Sequence, residues 1–340
     1  MKLTILGSSS ALPTSTRYPS AHVLNVHERL FLIDCGEGTQ MQLRNCKIRF
    51  GKINHIFISH LHGDHVFGLY GLLSTFNLMG RENTLHLYAP ENYDQMLNSH
   101  LRDFDINLDF EIDFIPLKGN DPVRIYEDKY VTVTSLPLKH RVNAYGFLFR
   151  EKPADRNIIK DYIAKYNIPT VRIPGIKKGE DFVTSEGIVV KNEEITISPP
   201  APLSYAYCSD TRVFSRLATF VKDVSLLYHE ATFDKSLTQL AKITCHSTTI
   251  EAAKIALKAN AGILMIGHFS ARYKNISVLV DEARAIFPNT IPAIDGTTYD
   301  IGELTTTPPD APVGTSLKGA YSGGKKSPPS GDLGTRRFKE

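Results

Sequence analysis

The chain has 340 residues, of which 42% are hydrophobic and 22% charged, so it can bury the core of one large domain or two small ones. A formal net charge of +3 is too small to indicate nucleic-acid binding, which would have to depend on local basic patches. The N-terminal stretch is too short and strand-like for a signal peptide, and the sequence contains no apolar run of membrane-spanning length.

The four cysteines are scattered along the sequence and form no C-x-x-C pair. In a chain of this length, such cysteines are typical of free thiols in a reducing compartment rather than of a disulfide frame. Because neither a leader nor a membrane segment is predicted, we expect a cytoplasmic protein.

Short apolar runs separated by turn residues predict strands and helices in alternation. The helical runs of the first half are EGTQMQLRNC (37–46), VFGLYGLLSTFNLMG (66–80) and ENYDQMLNSHLRDF (91–104). The predicted strands around them are KLTILG (2–7), HVLNV (22–26), LFLIDCG (30–36), HIFIS (55–59), LHLYAP (85–90), FEIDFIPL (110–117), YVTVTSLPL (130–138) and AYGFLFRE (144–151). A second half repeats the alternation from SYAYCSD (204–210) onward. Two αβ halves predict helices packed outside central sheets.

Residues 151–191 interrupt this alternation with a polar segment that contains several Pro and Gly residues. Between Lys152 and Lys178 it has seven Lys or Arg against two Asp, a local net charge of +5. By charge alone, a solvated surface insertion would explain the segment. Residues 305–340 are rich in Pro, Gly, Ser and Thr, and we expect a disordered tail there.

One short stretch, SHLHGDHVFGL (59–69), holds the candidate metal ligands His60, His62, Asp64 and His65. His60 follows the predicted strand HIFIS, at the strand end where α/β proteins place ligands. A turn at Gly63 and the start of the next helix can bring the other three side chains to the same point.

The residue types in this stretch suit zinc, because imidazoles and carboxylates are ligands that Zn²⁺ prefers. Four candidates so close together strain a single tetrahedral site, whereas two adjacent metal ions could share them and act jointly on a phosphodiester. The alternative is a polar turn without a ligand, which would be costly if the cluster is buried.

Three further polar residues each close an apolar strand in the same way: His140 after TSLPLK, Asp210 after YAYCS and His268 after LMIG. Taken singly, each could be a capping or surface residue. Their repeated placement makes them candidates for the remaining ligands of two metal ions.

Six motifs together resemble the ribonuclease Z family of tRNA 3′-processing endonucleases, within the metallo-β-lactamase superfamily. The resemblance covers about residues 1–304. The motifs are FLIDCGEGTQMQL (31–43), SHLHGDHVFGLYGLLST (59–75), YCSDTR (207–212), HEATF (229–233), HST (246–248) and GHFSARY (267–273).

The resemblance implies a catalytic domain over 1–304 with an α/β (α+β) fold, a four-layer αβ/βα sandwich from which residues 151–191 protrude as a tRNA-binding arm. It implies a zinc-dependent endoribonuclease that removes the 3′ trailer from precursor tRNA. The products would be a 3′-hydroxyl on the tRNA and a 5′-phosphate on the trailer. It also implies two Zn²⁺ ions per subunit and a homodimer.

Residue roles follow from the same resemblance. One zinc ion would be held by His60, His62 and His140, the other by Asp64, His65 and His268, with Asp210 bridging the two. Asp64 would also accept a proton from the attacking water. Ligand histidines usually donate their second N–H to an acceptor, and the candidate acceptors are Asp34, Glu37 and Glu230.

Glu230 and His246 are the residues that separate this family from other hydrolases of the superfamily. His246 would protonate the departing 3′-oxygen, and Glu230 would orient its imidazole. Without the other motifs, a strand-end Glu that meets a surface Lys would explain HEATF better. Arg272 is a candidate phosphate contact. The candidate arm contacts to tRNA phosphates are Lys160, Lys165, Arg172, Lys177 and Lys178.

Two other functions are compatible with parts of the pattern. A hydrolase of small phosphodiesters, lactones or thioesters would need the metal cluster, but it would not need the arm, Glu230 or His246. A catalytically silent metal-binding or RNA-binding module would need no acid pair. Cleavage of a structured precursor tRNA at one position separates the first alternative from the nuclease, and metal analysis with a turnover assay separates the second.

Overall fold

The computed structural model describes residues 1–306. The tail predicted at 305–340 lies outside these residues except for its first two. Within the described range, no helix combines the length and apolar character needed to cross a membrane. The described cysteines are all free thiols.

Seven strands form the first sheet. In spatial order they are β20 (Thr298–Asp300), β1 (Lys2–Gly7), β3 (Ala21–Val26), β4 (Arg29–Ile33), β5 (Ile53–Phe57), β6 (Leu85–Pro90) and β7 (Ile112–Leu117). Neighbouring strands pair antiparallel from β20 to β4 and parallel from β4 to β7. A two-residue turn joins β3 to β4, and both of its residues, His27 and Glu28, have positive φ angles of 48° and 66°. This geometry is the tight hairpin turn that matches strand twist.

Seven other strands form the second sheet. In spatial order they are β19 (Thr290–Pro292), β17 (Ile263–Gly267), β16 (Leu226–Glu230), β15 (Ser204–Cys208), β10 (Tyr145–Glu151), β9 (Val131–Pro137) and β8 (Val123–Glu127). β15, β16, β17 and β19 run parallel, and every residue of β15, β16 and β17 is buried. Burial on both faces explains why these strands are apolar runs rather than alternating ones.

Eleven α-helices accompany the sheets in the described chain. They are α1 (Thr39–Asn45), α2 (Gly63–Leu78), α3 (Tyr93–Asp103), α4 (Lys160–Lys165), α5 (Ile173–Lys177), α6 (Asn192–Ile195), α7 (Ser215–Phe220), α8 (Thr238–Thr244), α9 (Thr249–Lys258), α10 (Ser277–Arg284) and α11 (Ile301–Thr306). Short 3₁₀ turns occur at Phe50–Lys52, Thr170–Arg172 and Lys235–Leu237.

Three apolar cores stack these elements into layers. One core lies between the two sheets and includes Phe31 and Phe57 from the first sheet and Phe147 from the second. A second core packs α1, α2 and α3 onto the first sheet, and a third packs α7, α9 and α10 onto the second. The order helix, sheet, sheet, helix confirms the predicted four-layer αβ/βα sandwich.

The basic segment between β10 and β15 has a small core of its own. Its elements are α4, α5, α6 and the paired short strands β11 (Asn157–Ile158) with β14 (Thr196–Ile197) and β12 (Phe182–Val183) with β13 (Val189–Val190). The core residues are Ile168, Ile176, Phe182, Val190 and Ile195. The folded segment therefore continues past residue 191 to the end of β14. Its base is narrow, because the Glu151 amide donates to the Leu203 carbonyl at 2.9 Å.

Candidate functional site

The candidate ligands lie where strands of both sheets end. His60 follows β5 in the first sheet, while Asp210 follows β15 and His268 follows β17 in the second. A last short pair, β2 (Ser9–Ser10) with β18 (Phe269–Ser270), joins the two sheets at the same edge. Because both sheets present strand ends here, their side chains can meet in one cluster.

Local backbone conformation aims several of these side chains. Asp34, Asp210 and His268 have φ angles of 57°, 37° and 58°, in the left-handed region that non-glycine residues rarely adopt. Backbone strain of this kind is found preferentially at functional sites, where the surrounding fold holds it in place. His62 has extended backbone and precedes the first turn of α2, which presents Asp64 and His65.

The first group of candidate ligands contains His60, His62, His140 and Asp210, with one ligand atom of each within 4.8 Å of the others. His62 Nδ1 lies 3.0 Å from His60 Nε2 and 3.2 Å from His140 Nε2. His140 donates its other ring N–H, at Nδ1, to the Cys245 carbonyl at 3.0 Å. That bond leaves its Nε2 lone pair free for a metal ion.

The second group contains Asp64, His65 and His268, which also lie within 4.8 Å of one another. Asp64 Oδ2 lies 3.5 Å from His65 Nε2 and 3.6 Å from His268 Nε2. His268 Nδ1 is hydrogen bonded to Thr232 Oγ1 at 2.9 Å. Its Nε2 is therefore the atom that faces the cluster.

Asp210 lies between the two groups. Its Oδ2 is 3.4 Å from His60 Nε2, whereas its Oδ1 is 3.2 Å from His65 Nε2 and 3.1 Å from His268 Nε2. Although burial opposes ionisation, the histidines around Asp210 hold its pKa well below the usual range. One ionised carboxylate thus presents a separate oxygen to each group.

The imidazole nitrogens and carboxylate oxygens of the two groups are atoms that bind divalent metal ions. Among the described residues, His65 Nε2 and His268 Nε2 are buried atoms without a hydrogen-bond partner, although carboxylate oxygens lie close to both. An unsatisfied buried polar atom is costly, and a bound cation would satisfy both nitrogens and the carboxylates. Imidazole and carboxylate ligands are those of zinc and related ions.

The predicted supporting acceptors differ in their placement. Asp34 is buried, and its Oδ2 accepts from His65 Nδ1 at 2.7 Å. Glu230 is also buried, but its carboxylate bonds His246 rather than a histidine of either group. Glu37 is exposed, and no hydrogen bond between it and the candidate ligands occurs within residues 1–306.

Glu230 and His246 form a hydrogen-bonded pair beside the ligand cluster. Glu230 Oε1 lies 2.9 Å from His246 Nδ1 and also accepts from the Thr211 amide at 2.8 Å. Its Oε2 accepts from Thr232 Oγ1 at 2.5 Å. Burial alone would lower the pKa of His246, but the Glu230 charge and hydrogen bond raise it to about 9.

His246 is held by the elements on either side of it. α8 ends at Thr244, and the capping residue Cys245, whose φ is 58°, turns the chain sharply. Thr248 then starts α9 with a capping box, in which its side chain accepts from the Glu251 amide and Glu251 bonds the Thr248 amide. The HST motif therefore fixes the imidazole between two helix ends.

An open cavity of about 280 Å³ lies next to this pair. Its walls include His62, His140, His246 and Arg272. Arg272 packs over the Phe233 ring at 5.0 Å and donates through Nε to Ser270 Oγ at 3.0 Å, so part of its guanidinium is free for an anion. None of the five arm residues predicted to bind tRNA lines this cavity in the described structure.

Three features of this cavity have no role assigned from the sequence. Arg141 lines it and adds a second guanidinium. The loop after β1 also borders it, and the Ala11 amide donates to Asp64 Oδ2 at 2.8 Å. Thr232 links Glu230 to His268. Arg141 has no signal in the sequence, the polar loop SSSALPTSTR (8–17) could equally be a plain turn, and Thr232 lies inside the HEATF motif.

Comparisons with known proteins match this description. The family model described as Anti-Pycsar protein Apyc1 matches residues 1–251. Ribonuclease Z of Bacteroides thetaiotaomicron is 46% identical over 90% of this chain and 97% of its own length. Ribonuclease Z of Porphyromonas gingivalis strain W83 is 43% identical over 87% of this chain and 98% of its own.

Two solved structures are similar to this chain over most of its length. The crystal structure of human tRNase Z, short form, superimposes with a TM-score of 0.65 and 26% identity, covering 88% of this chain and 99% of that one. The metallo-β-lactamase fold protein YhfI from Bacillus subtilis, at 17% identity and a TM-score of 0.62, shares the fold and covers 88% of this chain and 98% of its own. The curated relatives, which are this similar over nearly their whole length, show that the chain belongs to the ribonuclease Z family.

Proposed function

We propose that the protein is a zinc-dependent endoribonuclease that removes the 3′ trailer from precursor tRNA. The observation that carries the proposal is the Glu230–His246 pair beside the ligand cluster, in a chain whose relatives are named ribonuclease Z. Cleavage would leave a 3′-hydroxyl on the tRNA and a 5′-phosphate on the trailer.

Two zinc ions per chain are part of the proposal. The first would be held by His60, His62 and His140, the second by Asp64, His65 and His268, and Asp210 would contribute one oxygen to each. Divalent metal, when bound, supplies polarisation of the phosphate oxygens and lowers the pKa of the attacking water. Three groups of candidate ligands overlap here, and two of them share no residue, which supports the count of two.

Asp64 would orient the attacking water and accept its proton. Burial would raise the pKa of this carboxyl, but the neighbouring imidazoles of His65 and His268 hold it below its usual range. Asp64 is therefore an ionised acceptor. The Ala11 amide bonded to its Oδ2 fixes the direction of the carboxylate.

His246 would act on the leaving side of the scissile phosphate. Its Nδ1 is bonded to Glu230, so Nε2 is the nitrogen that can donate to a phosphate oxygen or to the departing 3′-oxygen. Glu230 holds the ring in that orientation and stabilises its cationic form. Arg272 and Arg141, on the wall of the same cavity, would bind the phosphate that is cut or its neighbour.

Residues 157–197 would serve as the tRNA-binding arm. The segment has its own core and a narrow base, and Lys160, Lys165, Arg172 and Lys178 are exposed while Lys177 is half-buried. Lys and Arg contacts to phosphates give affinity without reading sequence, which suits an enzyme that accepts many tRNAs.

The direct test uses the intact chain loaded with Zn²⁺ and an end-labelled precursor tRNA. We expect one cut after the mature tRNA sequence, with the two product ends named above, and loss of cleavage after chelation. Hydrolysis of bis-p-nitrophenyl phosphate without cleavage of the tRNA would instead support the alternative of a small-phosphodiester hydrolase.

Removal of the arm should separate binding from chemistry. Replacing residues 155–199 by a short Gly/Ser linker is feasible because Glu151 and Leu203 are already hydrogen bonded at the base. We expect unchanged metal content and unchanged hydrolysis of bis-p-nitrophenyl phosphate, whereas precursor tRNA binding should collapse. Each lost phosphate contact should reduce the slope of log K against log salt by up to about 0.9.

A milder variant controls for the deletion. Changing the five residues Lys160, Lys165, Arg172, Lys177 and Lys178 to Gln keeps the small core and should give a partial form of the same salt-sensitive defect. An armless protein that binds and cuts precursor tRNA normally would contradict the assignment of the arm.

We further infer a cytoplasmic homodimer. Large apolar side chains are exposed on the outer helices α1, α2 and α3 and directly after α3: Met41, Phe67, Leu78, Met96 and Phe104. Exposed apolar surface of this kind marks an interface in many proteins. The four free thiols fit a reducing compartment. Sedimentation equilibrium should give the mass of two chains.

A further inference from the structure

A hydroxyl group from one sheet reaches an acidic residue of the other, directly beneath the candidate metal centre. Tyr207 is in β15 of the second sheet, and its hydroxyl donates to Asp34 Oδ2 at 2.7 Å. Asp34 follows β4 of the first sheet, and both side chains are fully buried. In such surroundings a charge-assisted hydrogen bond is strong, and losing it is costly.

Asp34 also holds a candidate metal ligand in place. The oxygen that accepts from Tyr207 also accepts from His65 Nδ1 at 2.7 Å and from Ser59 Oγ at 2.8 Å. Its other oxygen accepts from the Ser59 amide at 2.7 Å. The carboxylate orientation therefore decides which way His65 Nε2 points, and that atom faces Asp210.

We propose that Tyr207 is a positioning residue of the metal centre, because its bond across the two sheets fixes the carboxylate that aims His65. Candidate ligands come from both sheets, so a bond between the sheets at this depth also sets how far apart the two halves of the site lie. This inference rests on the metal site of the proposed function, but it does not depend on the RNA substrate.

The chain offers a matched control on the same strand. Tyr205 lies two residues earlier and is equally buried. Its hydroxyl is hydrogen bonded to His22 Nδ1 at 2.8 Å. Its bond also crosses between the sheets, but it ends on a histidine of β3 instead of on Asp34. Tyr205→Phe therefore reports the cost of losing a buried hydroxyl without changing Asp34.

The experiment measures zinc affinity by competition with a chromogenic chelator, together with the melting temperature of each metal-free protein. Tyr207→Phe should weaken zinc binding by about 10-fold, the lower end of the range seen when a direct partner of a metal ligand is lost, because Tyr207 bonds Asp34 and not His65 itself. Tyr205→Phe should stay within about twofold of wild type, with a similar change in melting temperature. In turnover assays, excess zinc should restore the kcat of Tyr207→Phe, with the KM for precursor tRNA unchanged throughout.

A second variant tests whether the effect runs through Asp34. In an Asp34→Asn background, adding Tyr207→Phe should change zinc affinity by no more than about twofold. Full additivity there would overturn the inference, as would wild-type zinc affinity in Tyr207→Phe or equal weakening by Tyr205→Phe. Wild-type protein that binds zinc but leaves precursor tRNA intact would contradict the proposed substrate, and the comparison of zinc affinities would still decide the role of Tyr207.

Discussion

Replacement of Asp210 by alanine is expected to abolish both metal binding and cleavage of precursor tRNA. The two carboxylate oxygens face different groups, with Oδ2 3.4 Å from His60 Nε2 and Oδ1 3.2 Å from His65 Nε2. Removing the side chain takes a ligand from both candidate sites at once and removes a buried negative charge that would offset the charge of the bound metal ions. Loss of a mere supporting bond already costs up to about 100-fold in metal affinity, so this loss should exceed that.

The measurement is elemental analysis of the purified variant, followed by turnover at saturating zinc. Asp113→Ala is a matched control, because Asp113 also pairs with a histidine, His86, at 2.8 Å, but lies far from the ligand cluster in sequence and is exposed. The control should keep full metal and activity. Full metal occupancy in Asp210→Ala would refute the bridging role.

The ligand cluster could be predicted from the sequence because its geometry is largely local. His60, His62, Asp64 and His65 fall on a strand end, a turn and a helix start, and such a path converges side chains whatever the rest of the fold does. The distant candidate ligands could be predicted for a related reason. His140, Asp210 and His268 each follow an apolar strand, and strand ends gather at the edges of sheets.

The supporting contacts could not be predicted, because they depend on the register between elements far apart in the chain. Tyr207 looks like one more apolar position of a buried strand, and only the packing of the two sheets brings its hydroxyl to Asp34, 173 positions earlier. The Ala11 amide reaches Asp64 across 53 positions. Backbone donors have no signature in sequence, so this contact leaves no trace in composition or spacing.

The basic segment shows a different limit. Its charge and polarity indicated a surface insertion, but its core of Ile168, Ile176 and Ile195 follows no helical or alternating period, so composition alone did not reveal a folded unit. The closing strand pair has only two residues on each side. Strands this short carry no periodic signal, so the sequence does not show that the folded unit extends to Ile197.

The acid pair gives the second large effect, and here binding and chemistry should separate. His246→Ala and Glu230→Ala should keep zinc content and tRNA affinity but lose turnover by about 10²- to 10⁴-fold, which is the usual contribution of general acid–base groups. The Nδ1 of His246 is bonded to Glu230 at 2.9 Å, so Nε2 is the ring nitrogen that is left to donate a proton. Single-turnover cleavage, zinc analysis and a tRNA-binding assay on each variant measure the three quantities independently.

The control for this pair is His86→Ala, which also removes a histidine bonded to a carboxylate but outside the cavity, and which should leave turnover unchanged. Near-normal turnover in His246→Ala would refute its role as the acid. A fall in zinc content would carry a different meaning, because His246 also lies within 4.8 Å of the ligand atoms of Asp210 and His268. In that case His246 would belong to the coordination shell, and the proton for the leaving 3′-oxygen would have to come from another group that lines the cavity.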